Sequence, residues 1–173
     1  DPGPTHVHGL TAQMLEGAPR FGDVVADLAE LLRGRTLVAH NVGFDYSFLT
    51  AEAELAGLEL PIDSVMCTVE LARRLELGVD NMRLETLAAH WGISQMRPHD
   101  ALDDALVLAQ ILKPALVRAR ERKVWLPLRP VEPQTVLRRH AQSLWVSGSR
   151  SGDASSATGA VVLEWATRSA SRE

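Results

Sequence analysis

The 173 residues carry 18 Lys and Arg against 22 Asp and Glu, a formal charge of −4, in a composition that is 46% hydrophobic and 23% charged. Those are globular proportions, and the length suits one well-cored domain with a tail rather than two domains. The single cysteine, Cys67, excludes a disulfide framework and a cysteine zinc site and predicts a reducing, cytoplasmic setting; no run approaches the roughly 18 apolar residues of a membrane helix, so no membrane partner is expected.

In chain order, Asp1-Pro2-Gly3-Pro4 reads as an opening loop without an initiating methionine, which suggests a start inside a longer gene product. One short helical turn is predicted over 11–16. After Pro19 comes a clearer helix whose apolar face holds Phe21, Val24, Val25, Leu28, Leu31 and Leu32, with Gly34 as its stop. Thr36-Leu37-Val38-Ala39 reads as a strand buried on both faces. A helix is predicted over 44–58, with Phe44, Phe48, Ala51 and Leu55 on its inner face.

A second strand over 61–65 leads into a helix through Leu75, and Leu84, Leu87, Ala88 and Trp91 mark another that Gly92 closes. The last strong helix follows Pro98 with Ala101, Ala105, Leu108, Ala109, Ile111 and Leu112 inward, weakens at Pro114, and resumes to about Lys123. The expected domains are 1–124 and a flexible, Pro-, Ser- and Gly-rich linker and tail over 125–173, in which 161–165 has strand character without an evident place.

Chemistry concentrates in two places. In His99-Asp100-Ala101-Leu102-Asp103-Asp104, Asp104 shares a helix face with Ala101 and Leu108, whereas Asp103 points outward with Val107 and Gln110. A carboxylate on an apolar face asks for a cation, although a first-turn carboxylate favouring the helix dipole is the plainer reading. In His40-Asn41-Val42-Gly43-Phe44-Asp45, Asp45 borders the core beside Phe48 and Leu49; a capping aspartate is the alternative there. Two such carboxylates on different elements suit Mg²⁺ or Mn²⁺. His99, five residues before Asp104, suits proton abstraction from water, or else is a surface residue. His6 and His8 lack the further ligands that zinc would need.

These two hexapeptides resemble the second and third motifs of the DEDDh, or DnaQ-like, 3′-to-5′ exonucleases of the proofreading-subunit type. Val7-His8-Gly9-Leu10-Thr11, Ala18-Pro19-Arg20-Phe21, Cys67-Thr68 with Leu71-Ala72-Arg73, and Leu84 with Thr86-Leu87-Ala88 add matches in order over roughly residues 6–116. The resemblance implies an α/β, ribonuclease-H-like fold. It also implies hydrolysis of nucleotides from the 3′ end of DNA or RNA to 5′-monophosphates with two Mg²⁺ or Mn²⁺ ions.

Carried over by residue, Asp45 and Asp104 would be metal carboxylates, His99 the general base, His8 a contact to the terminal nucleotide and Asn41 a neighbour of the scissile end. The partners implied are a single-stranded 3′ end of DNA or RNA and a DNA polymerase or repair complex. The chain departs from the pattern at its start, since residues 1–7 contain no Asp-x-Glu strand. A fold truncated at its N-terminal strands is therefore expected, with Thr36–Ala39 short of neighbours, an apolar face exposed, and weak or absent activity. A noncatalytic nucleic-acid- or partner-binding module of the same fold is the alternative.

Overall fold

A computed structural model describes residues 5–131 and the backbone of 160–163. The mostly disordered tail expected beyond Trp125 lies largely outside the described residues. The described residues open with a single turn, α1 (Thr5–His8), which carries His6 and His8, and a 3₁₀ turn (Gln13–Leu15).

Helix α2 (Phe21–Leu32) starts where the Asp23 carboxylate accepts from the Arg20 backbone N–H at 2.8 Å. Its inner stripe is narrower than expected: Val25 and Leu32 are buried, with Phe21, Leu28 and Ala29 packed beside them, while Val24 and Leu31 are exposed. The positions Phe21, Val25, Leu28 and Leu32 follow one line down the helix, and 24 and 31 fall at its margin.

Strand β1 (Thr36–Ala39) is buried at all four positions, as expected of a central strand. It feeds helix α3 (Val42–Leu55), which crosses to β2 (Ser64–Cys67), parallel to β1 from Thr36↔Ser64 to Ala39↔Cys67. The inward face of α3 differs from the one expected. Val42 and Ala53 are buried, with Tyr46, Leu49 and Ala56 packed against the same cluster, whereas Phe44, Phe48 and Leu55 stand 50%, 59% and 82% exposed. Apolar residues occupy both sides of this helix, so spacing alone does not choose between them; packing against α2 and the sheet does.

Helix α4 (Thr68–Leu75) follows β2 without a loop, and α5 (Leu84–His90) ends where Gly92, at φ +67°, turns the chain away. Helix α6 (Ala101–Glu121) runs through Pro114 without the expected weakening. Leu112, Ala115 and Ala119 seat against Leu71 and Leu75 on both sides of the proline, and that packing outweighs the lost backbone hydrogen bond. The inner face of α6 includes Val107, placed outward by sequence, while Ala101 and Ala109 are exposed.

Two short strands complete a sheet of order β3-β2-β1-β4. β3 (Leu128–Pro130) runs antiparallel to β2, and β4 (Ala160–Leu163) antiparallel to β1. Strand β1 therefore has a neighbour on each side, contrary to the expectation that it would be short of them: β2 pairs with one edge and β4 with the other. The side chains of β1 and β2 alternate between the two sheet faces: Leu37 and Ala39 join the cluster under α2 and α3, whereas Val38 and Met66 join that under α4 and α6. Among the described residues, no helix is long and apolar enough to cross a membrane.

Candidate active site

The start of α6 sorts three successive acidic positions into three jobs. The Asp100 carboxylate caps the helix, accepting from the Asp103 N–H at 3.0 Å. Asp103 turns outward and accepts from the backbone N–H groups of Met96 at 3.1 Å and Arg97 at 2.8 Å, tying the preceding loop to the helix. Asp104, one position on, faces inward and is only 1% exposed, as its neighbours in sequence predict. It is the one buried acidic residue among the described residues.

Asp104 keeps two stabilising contacts. Gln95 donates its side-chain amide to Oδ1 at 2.6 Å, and a backbone hydrogen bond comes from His99. Burial nonetheless dominates and holds the Asp104 carboxyl above the usual carboxylate range; the two hydrogen bonds and the His99 charge pull the other way, and the nearby Asp103 charge adds slightly to the rise. His99 has the left-handed backbone conformation, φ +68°, uncommon for a residue with a side chain. That conformation accompanies its backbone contact to Asp104 and leaves the His99 side chain half-buried. The His99 backbone and the Asp104 carboxylate are thus in contact across five residues of sequence.

The second cluster stands at the C-terminal end of β1, where the crevice of an open parallel pair usually receives a ligand. Asn41 precedes α3 at φ +70° and is exposed. Asp45, in the first turn of α3, is half-buried, and its Oδ2 is shut off from solvent.

His40 carries a part that sequence reasoning did not assign. It is 3% exposed, its Nδ1 lies 3.1 Å from the Thr68 hydroxyl, and it has a backbone hydrogen bond to Met82. Burial pushes its pKa down, and the Met82 contact opposes this weakly. The ring thus pins the β1–α3 turn to the start of α4 as a neutral imidazole. The signal available in the sequence was position alone, a polar residue directly after Leu37-Val38-Ala39. His8, at the end of α1, uses its Nδ1 locally, accepting from the Leu10 N–H at 3.0 Å.

The oxygen donors of Asp45 and Asp104 are the kind that hard divalent ions prefer. Among the described residues, however, no three His, Cys, Asp or Glu side chains converge into a group that could hold a metal. These residues alone therefore do not fit a pair of ions, and further carboxylates would have to complete the set.

A family model described as Exonuclease, of the RNase T type, matches residues 1–112. The chain is 33% identical over 117 residues to a DNA polymerase III PolC-type of Caldanaerobacter subterraneus, covering 68% of this chain and 8% of that protein. It is 34% identical over 112 residues to the DNA polymerase III subunit epsilon of Treponema pallidum, covering 64% of this chain and 52% of the relative. It is also 34% identical over 113 residues to the 3′-5′ exonuclease DinG of Bacillus subtilis, covering 65% of this chain and 12% of that protein. The chain spans about half or less of the length of these relatives.

Proposed function

This chain belongs to the exonuclease family, and on that premise we propose that its site removes nucleotides from the 3′ end of a DNA strand, releasing 5′-monophosphates. The observation that carries the reading is Asp104, an acidic side chain 1% exposed on the first turn of a helix, with His99 beside it. A scaffold gains nothing from that arrangement, because a buried charge costs stability. A noncatalytic binding module is accordingly not favoured. DNA rather than RNA, and a DNA polymerase as partner, are supported by the names of the relatives; a cytoplasmic setting is supported by the lone cysteine.

In this reading His99 accepts a proton from the water that attacks the terminal phosphodiester, and the departing strand keeps a 3′-hydroxyl. Asp104, through its contact to the His99 backbone, fixes where that ring stands. His8 contacts the terminal nucleotide and Asn41 lies beside the scissile end. Mg²⁺ or Mn²⁺ is the proposed cofactor, with Asp45 and Asp104 among its ligands once further carboxylates complete the set; such an ion stabilises charge that develops on phosphate oxygens.

Residues 1–173 alone are expected to shorten a labelled oligonucleotide weakly or not at all in Mn²⁺, since residues 1–7 hold no Asp-x-Glu. With an Asp-x-Glu strand joined upstream, a 5′-labelled single strand should shorten stepwise from its 3′ end. His99→Ala should then lower the rate roughly 10²-fold. An undiminished rate would remove His99 from the reaction.

A further inference from the structure

In the loop between α5 and α6, half-buried Gln95 reaches the carboxylate of Asp104 in the first turn of α6. Its side-chain nitrogen lies 2.6 Å from Asp104 Oδ1, a short contact of the kind expected where the acceptor is charged. Only one orientation of the amide suits that partner, because an amide oxygen turned toward a carboxylate is repelled by it. The NH₂ group therefore faces Asp104 and the oxygen points away. That oxygen, Gln95 Oε1, is buried without a hydrogen-bond partner among the described residues.

The torsion that turns an aspartate carboxylate about its last bond is broad and roughly two-fold, so the backbone contact from His99 alone does not fix the plane of Asp104. A second donor, from a separate point of the chain, does. The loop that carries Gln95 is itself anchored to α6. Asp103 accepts from the N–H groups of Met96 at 3.1 Å and Arg97 at 2.8 Å, and the Arg97 guanidinium lies 3.3 Å from Asp100 Oδ2. Gln95 thus reaches Asp104 from a fixed base.

The orphaned oxygen argues against a contact kept for stability alone. Burying an acceptor without a donor costs about as much as a hydrogen bond to a carboxylate returns, so the fold gains little from glutamine at this position. A reacting centre gains more, because a misplacement of about 1 Å slows a reaction roughly 10²-fold.

We propose that Gln95 is a positioning residue of the reacting centre: by holding Oδ1 it sets the plane in which the Asp104 carboxylate meets the reacting groups, without itself touching the nucleic acid. The proposal rests on the exonuclease reading and adds to it a residue of the loop before α6 on which turnover depends. Loss of the amide should lower turnover and leave binding of the strand as it was.

Gln95→Met keeps the length of the side chain and removes both the donor and the orphaned oxygen. A crystal structure of residues 1–173 with this change should show the Asp104 carboxylate rotated, or split between two planes. Its Tm should stay within about 2 °C of the parent, since the lost bond and the relieved acceptor offset each other. With an Asp-x-Glu strand joined upstream, kcat for 3′-end shortening should fall roughly tenfold to hundredfold with KM unchanged. Gln95→Asn keeps the amide but loses its reach, and should match Gln95→Met. Ser94→Ala, at the exposed position beside it, should match the parent. An Asp104 carboxylate that keeps its plane in Gln95→Met would overturn the proposal. So would turnover equal to the parent's, or a fall in Tm with activity lost only in proportion to the unfolded fraction, which would make Gln95 a strut of the fold. Failure of the joined parent chain to shorten the strand would sink the exonuclease reading, while the plane of Asp104 in the two crystals would still decide the part played by Gln95.

Discussion

Replacing Asp104 by Asn should stabilise the fold at neutral pH while abolishing the proposed chemistry. A buried ion costs several kcal/mol. Two hydrogen bonds to that ion, from Gln95 and the His99 backbone, together return about 3–6 kcal/mol, so cost and return nearly cancel. Because burial still holds the carboxyl above its ordinary range, the balance stays on the side of cost, with a remainder on the order of 1–2 kcal/mol. Asparagine removes the charge and keeps the shape. It can also be accommodated by turning the Gln95 amide over, because Gln95 Oε1 is buried without a hydrogen bond among the described residues and would accept from the new Nδ2, while the Asn oxygen takes the His99 N–H. For a chain of this size the gain corresponds to about 2–8 °C in Tm.

The pH dependence fixes the cause. The folded pKa of Asp104 lies above its unfolded value, so the fold holds the proton more tightly than the unfolded chain does. The cost of the carboxylate is absent below the ordinary carboxylate pKa, grows as pH rises from there through the folded value, and is complete above it. The advantage of the Asn variant should therefore vanish near pH 3.5–4 and reach a plateau toward neutrality. Scanning calorimetry of both chains in EDTA across that range measures it. An advantage that is zero or negative at pH 7, or that does not change with pH, would refute the reasoning.

Asp103→Asn should act in the opposite sense, because Asp103 secures the loop before α6 through Met96 and Arg97; a loss of about 1 kcal/mol in urea unfolding is expected, and none would show that those contacts do not hold the loop. His40, whose pKa burial lowers, should cost nothing above the ordinary histidine value and increasingly destabilise the protein as pH falls below it toward the folded value. In His40→Gln that acid-side decline in Tm should flatten; an unchanged profile would mean that another group sets it.

What the sequence disclosed depended on whether neighbours in the chain were also neighbours in space. Asp104 was placed inward through Leu108 one turn on, although Ala101 and Val107 lie on the faces opposite to those expected, and β1 was legible from three consecutive apolar residues after Thr36. The inner face of α3 was not legible, because Phe44–Phe48–Ala51–Leu55 and Tyr46–Leu49–Ala53–Ala56 are both apolar stripes, and only contacts with α2 and the sheet select the second. Strands β3 and β4 are three and four residues long and owe their existence to partners far away in sequence, so local pattern gave them no address. Gln95 and the buried His40 acquire their parts from the residues they touch across loops.

The claim on which the account turns is that Asp45 on α3 and Asp104 on α6 serve one reacting centre. The direct test is a double-mutant cycle on the rate of 3′-end shortening, with an Asp-x-Glu strand joined upstream and Asp45→Asn, Asp104→Asn and both together compared with the parent. Residues acting as a unit are grossly non-additive, so the double variant should be hardly slower than either single one. Losses that multiply, or an Asp45→Asn chain as fast as the parent, would contradict the account.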